Sequence, residues 1–196
     1  LFKMVKLRSM IISADASGVD STSSDDKRIT WIGHLIRKIK LDEITQLWNV
    51  LIGDMSLVGP RPNVERDVEI YTEVENHLLD IRPGITDFSS IIFSDEGDIL
   101  NGSKNPDLDY NRLIRPWKSR LGLFYIDNQS FLLDIKLILL TGLSIISRRN
   151  SLNIISNLLF KLSADNKLVQ VAKRLDPLVE YPPPGSKDIV TSRCND

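Results

Sequence analysis

The chain has 196 residues, 42% hydrophobic and 26% charged, enough for one domain with a buried core or for a domain plus an extension. A formal net charge of -1 excludes a whole-molecule field that would recruit nucleic acid or an anionic membrane, so local clusters must do any such work. One cysteine, Cys194 in a polar tail, and two histidines, His34 and His77, exclude an intrachain disulfide and argue against a Cys/His metal site; they fit a reducing compartment, and any metal should be a hard ion held by oxygens.

Residues 2–12 are β-like, with Lys3, Lys6 and Arg8 among apolar neighbours. The sequence starts at Leu1 on what reads as a strand already under way, with no initiator methionine or signal peptide, so a preceding segment is expected. Ser13–Lys27 is rich in Ser and Asp and reads as a mobile loop. "RITWIGHLIRKIK" sets Trp31, Ile32, Leu35, Ile36 and Ile39 at helical spacing, with Arg28, Arg37, Lys38 and Lys40 on the other face.

A second helix should start near Asp42, with Ile44, Leu47, Trp48 and Leu51 as its apolar stripe and Gly53 as its stop. "DMSLVGPRP" then reads as a rigid turn, and a third helix is expected from Val64 to Leu79, ended by Pro83-Gly84. "ITDFSSIIF" looks extended, and "SDEGDILNGSKNPD" looks like a polar loop. "LDYNRLIRPWKSRLGLFYIDN" is helical around Pro116, which should kink or divide it. "SFLLDIKLILLTGLSIISRR" is a strong helix with Ser130 as N-cap. It is too short and too charged, through Asp134 and Lys136, to span a bilayer. It reads either as a core helix or as a membrane-facing one that exposes Leu132, Leu133, Ile138 and Leu139. After Arg149 come two short amphipathic helices and then a tail, "YPPPGSKDIVTSRCND", that reads as disordered. The expected division is therefore 1–149, a catalytic unit; 150–180, a helical extension; and 181–196, the tail. The fold class is α+β, helix-rich, with a small β element.

Asp42 and Glu43 are adjacent acids at a helix start. Aspartate is a favoured N-cap and acids suit the first turn, so the pair has an ordinary capping explanation. Arg61, between Pro60 and Pro62, has an ordinary explanation as a surface residue in a turn. The functional alternative joins them. Unpaired N–H groups at a helix start form an anion site, and Pro62 keeps Arg61 extended on a stiff mount. A guanidinium so held can grip a phosphate in two places. Two acids with Mg²⁺ and flanking cations are the parts phosphoryl transfer needs.

The same residues carry a family resemblance. "LDEITQLWNVLIGDMSLVGPRP" resembles the LDELPQ-x-x-NVL-x-GDMSLVGPRP pattern of the bacterial sugar transferases, the monotopic phosphoglycosyl transferases. "FKMVKLRSM" is similar to their F-x-x-x-KFRTM, "RITWIGHLIRKIKLDE" to their R-x-T-x-x-G-x-x-L-R-x-x-x-LDE, and "IRPGIT" to their PGITG. "YNRLIRPWKSRLGLFYIDNQSFLLDIKLILLT" resembles their closing helices, so the likeness covers about residues 2–147.

The resemblance implies transfer of a sugar 1-phosphate from a UDP-sugar to a polyprenyl phosphate such as undecaprenyl phosphate, with release of UMP. This would begin assembly of capsule, exopolysaccharide, O-antigen or a protein-linked glycan. It implies that Asp42 is the nucleophile of a covalent phosphosugar intermediate, that Glu43 binds Mg²⁺, and that Arg61 belongs to the active site. Lys6, Arg8, Arg37 and Arg82 become candidate phosphate-binding residues, each also readable as a solvated charge. It further implies work at the cytoplasmic face of the bacterial inner membrane, with a re-entrant helix expected before Leu1. A homodimer is one option for the assembly, and no nucleic-acid partner is expected.

The sequence departs from the pattern at Thr45, where the family has proline, and at Leu7, where it has phenylalanine. It departs again at Asp87, Phe88, Ser89 and Ser90 after "PGIT" and at "SDEGDIL", a region expected to face the sugar or nucleotide. Two other classes stay open: a soluble Mg²⁺-dependent UDP-sugar phosphohydrolase, and a non-catalytic interaction domain on the same scaffold.

Overall fold

The computed structural model describes residues 1–14, 18, 19 and 21–192. Cys194 and part of the Ser/Asp-rich loop, Asp15 to Ser17 and Asp20, fall outside them. The fold is helix-rich α+β. Helix α1 (Trp31–Lys38) is capped by Thr30, whose hydroxyl accepts from the Gly33 amide. The acidic pair lies on α2 (Leu41–Ile44), and a turn at Thr45 and Gln46 separates it from α3 (Leu47–Leu51), so the single helix expected there is two short ones. Gly53, at φ +88°, turns the chain out of α3 into β1 (Ser56–Val58).

A parallel partner, β2 (Gly84–Thr86), completes the sheet, with Ser56 opposite Gly84 and Val58 opposite Thr86. The crossover between them contains α4 (Glu65–Val68) and a 3₁₀ turn (Glu75–Leu79), where one continuous helix was expected. The reason is a capping box. The Thr72 hydroxyl accepts from the Glu75 amide at 3.1 Å, and the Glu75 carboxylate accepts from the Thr72 amide at 3.1 Å, so a new helical start interrupts the old one. Gly84 is required by proximity, since a β-carbon there would lie 2.1 Å from the Gly59 nitrogen.

Strand β2 is short because Asp87 stops it. Its side chain accepts from the Ser90 amide and starts the fully buried α5 (Phe88–Ile92), so the extended reading holds only as far as Thr86. Next come α6 (Glu96–Ile99), inside the expected polar loop, and α7 (Pro106–Asp109). A π-helical turn, Tyr110–Ile114, leads into α8 (Arg115–Asn128), with Pro116 in its first turn. Proline has no N–H to donate, and the wider π turn absorbs the missing bond, which is the division the sequence predicts. Helix α9 (Phe131–Ile146) is capped by Ser130 as expected, and α10 (Arg148–Lys161) and α11 (Asn166–Lys173) are the two helices predicted after Arg149.

The core is continuous from α5 through α8 and α9 into the extension. Ile91, Leu121 and Leu137 share it with Ile155, Leu159 and Ala172. Three expectations fail on contacts that lie far apart in sequence. Residues 2–12 form no strand; a single antiparallel bridge joins Met10 to Ile29, and Asn49 grips the segment from Lys3 and Val5. The described loop residues Ser21–Lys27 are tied down through Ser21 to Asp107 and Ser24 to Gly97. The start of the proline-rich tail is docked: Tyr181 stacks on Trp117 at 4.5 Å, Arg120 holds the Pro182 carbonyl, and Thr72 holds that of Pro184.

Burial on α3 is inverted. Asn49 and Gln46 are buried, while Leu47, Trp48 and Leu51 are exposed. On α1, Trp31, Ile32 and Leu35 also face outward.

The crossover is fastened to α8 by a buried ion pair. The Arg115 guanidinium meets both Glu75 oxygens, at 3.1 and 2.5 Å, and donates to Asn111 and to the Ile70 carbonyl. Ser119 donates to the same carboxylate at 2.6 Å. Glu75→Ala strands a buried guanidinium, so stability should fall by about 3–5 kcal/mol. Urea denaturation reads this; a loss below about 1 kcal/mol would show that Arg115 finds other partners.

Candidate active site

Helices α1 and α2 meet at Lys40, which adopts the left-handed conformation (φ +53°) and caps α2. That turn sets Asp42 and Glu43 against an open cavity of about 720 Å³, a size suited to a nucleotide-sized ligand. Helix α2 has four residues, so its dipole is small. Side-chain cations set the local field instead.

Asp42 is only 5% exposed, and its carboxylate is 3.1 Å from the Lys6 ammonium. Glu43 is paired to Arg61 at 2.6 Å. Burial opposes the Arg61 charge, but the Glu43 carboxylate outweighs it and holds the guanidinium above its ordinary range. Arg37 donates to Ser9 at 2.9 Å and lies near Asp42; burial pushes its pKa down and Asp42 opposes the shift. Lys6, Arg37, Asp42, Glu43 and Arg61 come to one cavity from the N-terminal segment, α1, α2 and the proline turn.

Arg8 and Arg82 are exposed and are not among the residues lining the cavity. Thr45, in place of the pattern's proline, donates from its hydroxyl to the Val5 carbonyl and helps hold the segment that carries Lys6.

Two cations on the cavity wall escaped the sequence reading. Lys40 looked like one more member of a basic helix face. Its chain turns inward, with the ammonium 3.4 Å from the Ser90 carbonyl, and burial pushes its pKa down while Glu43 opposes. Lys118 sits in a stretch read only as a helix around Pro116; it is ion-paired to Glu96 and lies 5.2 Å from the Tyr110 ring centre. No local signal distinguishes either lysine, because the groups they face lie about fifty and twenty residues away in the chain.

Among the described residues no cluster of three or more His, Cys, Asp or Glu could enclose a metal. The donor set still fits Mg²⁺, which commonly takes one or two carboxylates and completes its shell with water and ligand phosphates. Glu43, on the cavity wall, is the carboxylate that could do so.

Residues 1–148 match the model of the family described as bacterial sugar transferase. The chain is 38% identical over 140 residues to "Uncharacterized sugar transferase EpsL" of Bacillus subtilis (strain 168), covering 71% of this chain and 60% of that protein. It is 33% identical over 158 residues to "UDP-glucose:undecaprenyl-phosphate glucose-1-phosphate transferase" of Xanthomonas campestris pv. campestris, covering 76% and 30%. It is 31% identical over 147 residues to "UDP-N-acetylgalactosamine-undecaprenyl-phosphate N-acetylgalactosaminephosphotransferase" of Aeromonas hydrophila, covering 71% and 31%. The chain thus spans less than two thirds of the length of these curated relatives.

The Lys40 turn gives a test. Glycine takes the left-handed conformation without steric cost but loosens the unfolded chain, and these effects of about 1 kcal/mol each nearly offset. Lys40→Gly should therefore leave the thermal midpoint within a few degrees, while binding of inorganic diphosphate, read by calorimetry, weakens by about tenfold. Unchanged diphosphate affinity would remove Lys40 from the anion site.

Proposed function

This chain belongs to the bacterial sugar transferase family, and from that premise we propose that it transfers a sugar 1-phosphate from a UDP-sugar to a polyprenyl phosphate, with UMP as the leaving group. The observation that carries the reading is the pair Asp42 and Glu43 on one cavity, each carboxylate met by its own cation.

An Asp42 oxygen attacks the phosphorus that bears the sugar. A new O–P bond forms, the bond to the bridging oxygen breaks, and that oxygen leaves with UMP. The phosphate of the polyprenyl lipid then attacks the same phosphorus and frees the Asp42 carboxylate. Bringing a carboxylate up to a diphosphate sets negative charge against negative charge. Lys6 shields the nucleophile, and Arg61, Lys40 and Arg37 stand where phosphate oxygens would gather. Mg²⁺, held by Glu43 with phosphate oxygens, would neutralise charge on the diphosphate. Two chemical half-steps suit two substrates that come from different phases.

Among the described residues no helix is long and apolar enough to cross a membrane. Support for a bilayer surface comes from apolar residues facing outward beside the cavity. Trp31, on α1 with Arg37, and Leu51, on α3 next to the helix that carries Asp42, are each 79% exposed. Helix α9 exposes Leu132, Ile138 and Leu139 while burying Leu133, and its Ser144 and Ile145 line the cavity. We assign these surfaces to one leaflet, on the cytoplasmic side where UDP-sugars are found.

The products separate the candidate reactions. Incubation with a UDP-sugar, Mg²⁺ and undecaprenyl phosphate in liposomes should give lipid-linked phosphosugar and UMP; free sugar phosphate with UMP would indicate a phosphohydrolase, and no UMP a non-catalytic domain. Asp42→Asn should lower UMP release by on the order of 10³-fold or more, because an amide is not a competent nucleophile. Glu43→Gln should be partly rescued by excess Mg²⁺. Near-normal turnover by Asp42→Asn would contradict the covalent route.

A further inference from the structure

Resting on the nucleotide-sugar reading, we infer that Arg174 of the C-terminal extension is a positioning residue for the donor pocket, and that the Glu96–Lys118 wall it steadies reads the hydroxyl groups of the sugar. Residue 174 lies beyond the stretch that matches the family. Its partner lies in the segment where the sequence departs from the family pattern.

Residues 94–98 line the cavity wall. The Asp95 carboxylate in that wall is gripped by two arginines, Arg148 at 2.7 Å and Arg174 at 3.2 Å. Arg148 also donates to the Ser94 hydroxyl and the Ile92 carbonyl. Arg174 holds the left-handed cap of α11 (φ +50°), its side chain is 10% exposed, and its guanidinium carbon lies 5.6 Å from the Phe93 ring centre. Among the described residues its Nε and Nη1 have no hydrogen-bond partner, so Asp95 is the principal compensation for a buried charge. A cation with one strong anchor fixes that anchor firmly, because loosening it leaves the charge stranded.

The next residue is Glu96, whose carboxylate pairs with Lys118. Burial opposes the Lys118 charge, but the Glu96 carboxylate outweighs it, so the ammonium stays protonated. Burial pushes the Tyr110 phenol up to about 12, which keeps it a neutral hydroxyl. Glu96 and Lys118 line the same cavity as Asp42, Glu43 and Arg61, and the Glu96 carboxylate lies close enough to Arg61 to favour its charge.

The wall presents a carboxylate acceptor, an ammonium donor and a phenol able to do both, beside the serines of the 21–24 segment. Those are partners for a ring that carries several hydroxyls. A nucleobase would want an open aromatic face. Phe93 is buried under Arg174, and a cation already stands over Tyr110.

The test has two independent readouts on the full chain. Hydrogen exchange of residues 93–98 should quicken by about tenfold in Arg174→Ala and in Asp95→Asn, and stay close to wild type in Arg174→Lys, with the thermal midpoint confirming folded protein. Unchanged exchange in Arg174→Ala overturns the clamp, whatever the enzyme does. In UMP release, Arg174→Ala should raise KM for the preferred UDP-sugar about tenfold with kcat within about twofold, and Glu96→Gln should flatten discrimination among UDP-sugars. Quickened exchange with unaltered KM and sugar preference overturns the recognition role. A Glu96→Gln variant that changes preference among nucleobases on one sugar assigns the wall to the base instead. If the wild type releases UMP from no UDP-sugar, the functional reading fails while the exchange result still decides the clamp.

Discussion

Two adjacent carboxylates facing one cavity need cations beside them to offset their charge. That constraint organises the molecule. The N-terminal segment has no strand to hold it, yet it is pinned by Asn49 so that Lys6 reaches Asp42. Lys40 accepts a backbone conformation unfavourable for a residue with a β-carbon, and the turn it makes puts its own ammonium near Glu43. The proline turn after β1 carries Arg61 to the same place, and the short parallel sheet is what fixes that turn. The N-terminal segment, α1, α2 and the proline turn thus converge on one cavity in front of the helical body.

The body and the face bury different kinds of residue. Behind the cavity, α5, α8, α9 and the extension bury a continuous apolar core, and the buried ion pair of Glu75 with Arg115 has both carboxylate oxygens met. In front, α1 and α3 turn tryptophan and leucine outward and keep asparagine and glutamine inside. In water alone that arrangement forfeits hydrophobic stabilisation. Against the proposed bilayer it would forfeit little, and the buried Asn49 amide clamps the segment that carries Lys6. On the proposed bilayer placement, one face would serve both docking and the assembly of the site.

What the sequence made legible was what is local. The Asp42–Glu43 pair and Arg61 stand in a contiguous motif, and their geometry follows from a turn, a short helix and two prolines. Helices α9, α10 and α11 were legible because their apolar periodicity is long and regular, and Pro116 announced the break before α8. What stayed hidden was non-local or ambiguous in period. Residues 2–12 have strand composition, but the structure gives them only the Met10 bridge to Ile29. Thr72 and Glu75 form a capping box that four letters could have disclosed, yet the helical pattern around them masked it. Tyr181 docks because Trp117 is there to stack on, which no reading of a proline-rich tail reveals. The stripe on α3 was correctly grouped, but periodicity says which residues share a face and not what that face meets. Lys40 and Lys118 were invisible as site residues for a related reason: a lysine becomes part of a site through what the fold brings to it.

The central claim is that Asp42 carries the sugar phosphate between donor and acceptor. The most direct measurement incubates the protein with Mg²⁺ and a radiolabelled UDP-sugar in the absence of lipid, quenches it in acid, digests it, and locates the label by mass spectrometry. The account predicts a phosphosugar on the peptide containing Asp42, formed with release of UMP and discharged when undecaprenyl phosphate is added. Rapid-quench samples that show efficient transfer to lipid with no adduct at any time, or an adduct on a residue other than Asp42, would contradict it.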